Sequence, residues 1–240
     1  MNILITGGAS GLGGAITDHL AQNNPHSKIH FTFYSSLDKA TYLEHRFSNT
    51  VKHACNFHDK ASVHHLLEQM NDMNLDVLIN NAYLRPQIQY FHKEDLATFE
   101  LSFKHNILPV INITQAALSL FRKKKQGRII SILSSALINK PPLGWSEYTA
   151  NKAYIESLSK SWASENSKFN ITANCISPSF MQTNMSSLID ERMVSEMIEQ
   201  APFKKLLTPT EVAESVHFLL HCSPYINGIN LVMNGGAHVI

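Results

Sequence analysis

Asn2-Ile3-Leu4-Ile5-Thr6-Gly7-Gly8-Ala9-Ser10-Gly11-Leu12-Gly13 is the stretch whose reading decides the fold. Ile3 to Ile5 form a short continuous apolar run, the pattern of a strand buried on both faces. A glycine-rich turn follows at once and leads into Ala15, Ile16, His19 and Leu20 at helical spacing. Strand, glycine turn and helix in that order make a phosphate cradle. Glycines let the backbone approach a pyrophosphate, and the helix start offers N–H groups and a positive dipole end. The stretch therefore predicts a dinucleotide site at the exit of the first strand, with Gly7, Ser10, Gly11, Leu12 and Gly13 around it.

Working outward, the same alternation repeats along the chain. Strands are expected over Ile29–Tyr34, Val51–Cys55, Asp76–Ala82, Arg128–Leu133, Ile171–Ile176 and Leu231–Met233. Between them come a helix over Leu37–Phe47 and another marked by Val63, Leu66, Leu67 and Met70. A long helix over Asp95–Lys125, bent or broken near Pro109, follows, and one through Tyr148, Ile155, Leu158 and Trp162. Thr208-Pro209-Thr210-Glu211 joins a capping box to a proline at the first helical position, so a last helix opens there. Alternating strands and helices predict an α/β fold, a doubly wound parallel sheet of Rossmann type with helices on both faces. Residues 1–240 read as one catalytic domain, since no linker or repeat interrupts them.

Composition narrows the partners. A net charge of +1 with 16% charged residues gives no reason to expect nucleic acid or an anionic membrane. The one basic run, Arg122 to Lys125, closes a helix and suits its dipole. Three widely spaced cysteines and no C-x-x-C argue for a reducing compartment and against both a disulfide framework and a zinc site. The thirteen histidines carry no metal-ligand spacing. No apolar run has the length of a membrane span, and no leader precedes the first strand, so a cytoplasmic protein is expected.

Tyr148-Thr149-Ala150-Asn151-Lys152 supplies the chemistry. A phenol and an amine four residues apart share a helix face, roughly 6 Å apart along the axis. An ammonium so placed lowers the cost of ionising the phenol, which then passes protons to or from a substrate oxygen near neutral pH.

Taken in order, these motifs resemble the short-chain dehydrogenase/reductase family in its short single-domain form. Thr6-Gly7-x-x-x-Gly11-x-Gly13 looks like its cofactor turn, Asn80-Asn81-Ala82 like its fourth-strand motif, and Asn106 like its helix asparagine. Ser135 stands thirteen residues before Tyr148, the family's usual separation, and Tyr148-x-x-x-Lys152 is the family pair. Pro178 to Thr183 looks like the loop that holds the nicotinamide amide, through Pro178, Met181 and Thr183. The resemblance implies that Tyr148 is the acid in reduction or the base in oxidation. Ser135 would bond the carbonyl oxygen, with Ser134 its nearest competitor. Lys152 would bind the nicotinamide ribose and tune Tyr148, and Asn106 would hold a relay water. Asn56 and Phe57 would meet the adenine; Asn80 and Ala82 would line the cofactor.

Three positions depart from the family pattern: Tyr83 and Ser179 replace glycines, and Asn56 an aspartate. At the second strand's end Ser35 and Ser36 stand where a carboxylate would select NAD, so NADP is the expected cofactor and NAD the alternative. Tyr83, Arg85, Leu137, Trp145 and Phe180 should join Ser135 and Tyr148 around the substrate, under a lid over Asn184–Gln200. That mostly apolar pocket suggests a ketone or 3-oxoacyl group, the latter carried on an acyl-carrier thioester, or the corresponding secondary alcohol. An NAD-dependent alcohol or sugar dehydrogenase and a cofactor-binding regulatory protein with little turnover are the rival readings. The family habit implies a homodimer or homotetramer.

Overall fold

The computed structural model describes residues 1–138, 140–181 and 191–239. Seven strands form one parallel sheet: β1 (Asn2–Ile5), β2 (Lys28–Phe33), β3 (Thr50–Ala54), β4 (Val77–Asn80), β5 (Gly127–Ile132), β6 (Ile171–Pro178) and β7 (Asn230–Met233). Their order is β3-β2-β1-β4-β5-β6-β7, every neighbouring pair parallel. The chain winds outward first to one side of β1 and then to the other. Its reversal point lies between β1 and β4, and a crevice at the carboxyl ends of the strands opens there.

Alternate residues of the sheet feed two cores. On one face Leu4, Leu78 and Ile129 pack against α3 (Lys60–Met70), α5 (Leu108–Lys124) and α6 (Ser146–Asn166), through Leu66, Ile113, Phe121 and Ile155. On the other, Ile3, Ile5, Phe31 and Ile130 pack against α1 (Gly11–Asn23), α2 (Leu37–Arg46) and α8 (Pro209–His221), through Ile16, Leu43 and Val216. The apolar strands are buried on both faces because each side chain parity finds a helix layer.

The expected long helix is three pieces. α4 (Leu96–Ser102) passes into a π turn over Phe103–Ile107, and α5 restarts at Leu108 with Pro109 in its first turn. Proline has no N–H to continue the ladder, so the extra residue is absorbed in the turn before it. The basic run closes α5 as expected, but the left-handed cap residue is Lys125 (φ 53°) rather than a glycine. The capping box also forms: Glu211 accepts from the Thr208 N–H, and Thr208 accepts from the Glu211 N–H. Part of the expected lid is helical, α7 (Glu191–Gln200), while 184–190 lie outside the described residues. No helix among the described residues is long and apolar enough to cross a membrane.

Candidate active site

The crevice is assembled from two strand ends tied together. Thr6 Oγ1, at the exit of β1, accepts the N–H groups of Asn81 and Ala82, each at 3.0 Å. Asn81 Nδ2 returns a bond to the Thr6 carbonyl at 2.9 Å. Gly7 and Gly11 take left-handed φ of 65° and 56°. A Cβ at Gly13 would lie 2.1 Å from the Gly7 carbonyl oxygen, so helix and turn can close this tightly only without one. Ser10 is the N-cap of α1 yet makes no side-chain cap bond, which leaves the helix start open to an anionic group. Its hydroxyl instead meets that of Ser36 at 3.4 Å.

Tyr148 and Lys152 both lie buried on α6, and Asn106 is buried in the π turn that faces it. Ser134, rather than Ser135, is the serine whose hydroxyl lowers the cost of ionising the Tyr148 phenol. Ser134 leaves β5 in extended backbone (φ −160°), whereas Ser135 has already entered a 3-10 turn over Ser135–Leu137. Ser134 stands fourteen residues before Tyr148, one more than the expected separation. Ser134 Oγ also accepts the Ala136 N–H at 3.1 Å, which holds it in place. Rings of Tyr83 and Trp145 stand edge-on to Tyr148, each with centroids 5.1 Å away. Lys152 Nζ donates to the Ile132 carbonyl at 2.8 Å.

Residues 7–238 match the family described as Enoyl-(Acyl carrier protein) reductase. The 3-oxoacyl-[acyl-carrier-protein] reductase of Vibrio cholerae is 29% identical, with 99% of this chain and 97% of that one covered. That of Haemophilus influenzae is 30% identical over 98% and 97%. A solved short chain dehydrogenase/reductase family protein superposes with a TM-score of 0.88 at 25% identity, covering 100% of this chain and 98% of the other. The chain is a short-chain dehydrogenase/reductase. It is an enzyme of the nicotinamide-dependent oxidoreductase class.

For a short-chain dehydrogenase/reductase the group to be held is a nicotinamide dinucleotide, and the residues fit one. The Gly7–Gly13 cradle excludes side chains, and the uncapped start of α1 offers free N–H donors for a pyrophosphate. Ser35 is exposed and Ser36 half-buried at the end of β2, beside Ser10. Asn56 is already engaged, its Oδ1 accepting the His58 N–H at 3.0 Å, and the Phe57 ring belongs to the core against α3 and α5. The Asn56 N–H also donates to Ser62 Oγ at 2.9 Å, so its backbone is engaged as well. Asn80 is buried and bonds Thr114 Oγ1 at 3.0 Å, so it braces β4 against α5, while Ala82 is half-buried behind the turn. Pro178 closes β6, and the Ser179 N–H donates to the Met233 carbonyl at 2.9 Å. Met181 packs on the α1/α8 core, and Thr183 lies outside the described residues.

The electrostatics differ from the simple lysine–tyrosine picture. Burial pushes the Tyr148 phenol up, partly offset by the Ser134 hydroxyl, and the neighbouring Glu147 pushes it further up. Burial also lowers Lys152 to about 7, so near neutral pH its ammonium is only partly formed. The tuning read from the four-residue spacing therefore has to overcome desolvation of both groups.

Around the substrate side, Leu137, Trp145 and Phe180 are half-buried and Arg85 is exposed. Tyr83 is half-buried and packs against α6. Its ring lies over Lys152 Nζ, 4.5 Å from the centroid, and its hydroxyl donates to Glu147 Oε1 at 3.0 Å. Glu147, Asn151 and half-buried Ser102 complete a polar cluster behind Tyr148 and Lys152 that no motif announced. Glu147 and Asn151 precede Tyr148 and Lys152 by one residue each, and nothing in the sequence marks that helix stripe as buried. Among the described residues no cluster of three metal-ligating side chains occurs.

Proposed function

We propose that this enzyme reduces a ketone or 3-oxoacyl carbonyl with NADPH, the reverse reaction being oxidation of the secondary alcohol. The observation that carries the reading is the buried Tyr148 phenol, eased by the Ser134 hydroxyl and set on a helix beside a glycine cradle at the sheet's reversal point. Tyr148 O–H donates its proton to the carbonyl oxygen, and Ser134 Oγ–H bonds that same oxygen, stabilising charge that builds there in the transition state. The dinucleotide, when bound, supplies the hydride. Lys152 and Asn106 hold the proton-delivering side of the site. Lys152 stays on Ile132, while Asn106 accepts the Leu84 N–H at 2.7 Å and fixes the exit of β4.

NADP rather than NAD is favoured by the hydroxyls of Ser35 and Ser36 just past β2 and by exposed Lys39 in the first turn of α2. No carboxylate stands there before exposed Asp38 in the first turn of α2. An acyl-carrier-bound substrate is favoured by the two relatives' named activity. A groove of about 630 Å³ lined by Phe99, Phe103, Leu108 and Tyr154 on α4–α6 supports a homodimer or homotetramer packed through those helices. The cytoplasm is the compartment that suits three free, buried cysteines.

The test is NADPH oxidation against short 3-oxoacyl thioesters, diketones and keto-sugars, with NADPH and NADH binding titrated by intrinsic fluorescence. Thioester turnover abolished by Tyr148→Phe supports the proposal. Turnover indifferent to Tyr148→Phe, or equal affinity for NADH, opposes the acid assignment or the cofactor assignment respectively.

A further inference from the structure

α6 presents two neighbouring pairs at helical spacing: Tyr148 with Lys152, and Glu147 with Asn151. Tyr83, entering from the exit of β4, bridges them. Its ring face covers Lys152 Nζ at 4.5 Å, while its edge-on contact with Tyr148 is at 5.1 Å. Its hydroxyl is clamped at the far end of the ring, donating to Glu147 Oε1 at 3.0 Å and accepting from Asn151 Nδ2 at 3.2 Å. The same Glu147 oxygen accepts from Ser102 and Asn151, and Ser102 accepts from Asn106 Nδ2 at 3.0 Å. The ring is thus held by α6, whose two partners are braced by α4 and the π turn, and cannot swing without breaking two half-buried hydrogen bonds.

Lys152 has few other ways to be solvated. It is 7% exposed, and the cavity beside it, walled by Asn80, Tyr83, Asn106 and Ile132, measures about 10 Å³, room for roughly one water. The groups that face it are the Ile132 carbonyl on β5, the Cys175 thiol on β6, the Tyr148 phenol on its own helix and the Tyr83 ring from β4. Burial pushes both the Tyr83 phenol and the Cys175 thiol up, so neither is an anion near neutral pH. The negative face of an aromatic ring at this distance attracts a cation, most strongly where water is excluded.

We propose that Tyr83 is a positioning residue for Lys152: its clamped ring face holds the ammonium charged and within reach of Tyr148. The proposal rests on Tyr148 and Lys152 being the reacting pair. It assigns to the residue that replaces the family's glycine a part in proton transfer rather than in substrate contact.

The experiment follows the Lys152 amine directly by ¹⁵N NMR titration, with its resonance assigned by Lys152→Met. It compares the wild type with Tyr83→Leu, with Tyr83→Phe, and with Tyr83→Phe carrying progressively fluorinated rings, which weaken the face without changing the shape. Tyr83→Phe, which keeps the ring face and loses the hydroxyl clamp, titrates between the wild type and Tyr83→Leu. Tyr83→Leu and the most fluorinated ring lower the Lys152 titration by about one pH unit, the size expected of a desolvated cation–ring contact. In step, the acid limb of kcat/KM for alcohol oxidation moves to higher pH, because the Tyr148 phenolate loses part of its positive neighbour. A Lys152 titration unmoved by both leucine and fluorine overturns the proposal and makes Tyr83 a space-filling residue. The fluorinated series decides if Tyr83→Leu does not fold. A chain that turns over no carbonyl while Lys152 still responds to the ring refutes the reductase reading and leaves this contact standing.

Discussion

Ser134 leaves β5 in extended backbone and its hydroxyl eases ionisation of the Tyr148 phenol, whereas the serine next to it has already entered a 3-10 turn. Ser134→Ala should therefore lower kcat/KM for carbonyl reduction by about 10²–10³, the usual loss when one donor to a developing oxyanion is removed. Ser135→Ala should stay within a few-fold of the wild type. Steady-state kinetics on the two variants decide it, and a larger loss from Ser135→Ala would reverse the assignment.

Lys152 makes stability depend on alkaline pH. Its pKa falls from 10.5 in the unfolded chain to about 7 in the folded one. Between those values the unfolded chain binds the extra proton, so the penalty on folding is absent above about 10.5 and grows as pH falls towards 7. Lys152→Met should thus be more stable than the wild type at pH 7, by about 2 kcal/mol, and the two should converge near pH 10. Urea unfolding of both proteins across that range measures the difference; parallel curves would contradict it.

His30 sets an acid limit. It is buried in β2, with Nδ1 3.0 Å from His53 Nε2 on β3, and burial foremost, then His53 and Lys28, lower its pKa from 6.5 to about 4. A depressed imidazole costs nothing above its unfolded value and destabilises the fold as pH drops from about 6.5 towards 4. His30→Phe should flatten the loss of thermal midpoint over that window. Calorimetry at successive pH values reads it, and an unchanged slope would place the acid sensitivity elsewhere.

Gly13 is the position where the cradle tolerates least. An added Cβ would meet the Gly7 carbonyl oxygen at 2.1 Å and Asn81 Nδ2 at 2.5 Å, at the hydrogen-bonded exits of β1 and β4. Gly13→Ala should cost about 3 kcal/mol of stability, or move the turn and abolish NADPH binding. Gly236→Ala, whose Cβ meets nothing within 4 Å, is the comparison, although its φ of 83° carries its own strain. Fluorescence titration with NADPH and thermal unfolding would show Gly13→Ala the more damaging; equal effects would mean the cradle has slack.

Much of the architecture was legible before any coordinates. Buried apolar runs at β1, β4 and β6 announced strands covered on both sides, and the capping box at Thr208 placed the start of α8 correctly. Element ends moved by a residue or two, and the helix expected over Asp95–Lys125 turned out to contain a π turn. Pro109 signalled a break, but the way the ladder absorbs it depends on what α6 packs against. The serine that acts on Tyr148 in the structure stands one residue before the expected one, for a related reason. Counting back from Tyr148 measures loop length, while the side chain that meets the phenol is set by where β5 stops.

By itself, the sequence determined the order of strands and helices, the glycine cradle, and the helix that carries Tyr148 and Lys152 on one face. These are local properties, settled by periodicity, turn chemistry and missing side chains within a few residues. Only the tertiary structure decided that Ser134 faces Tyr148, that Tyr83 covers Lys152, and that Glu147 and Asn151 are buried. Those contacts join segments tens of residues apart, and they follow from the depth to which α6 sinks between the π turn and the sheet, which no pattern along one segment records.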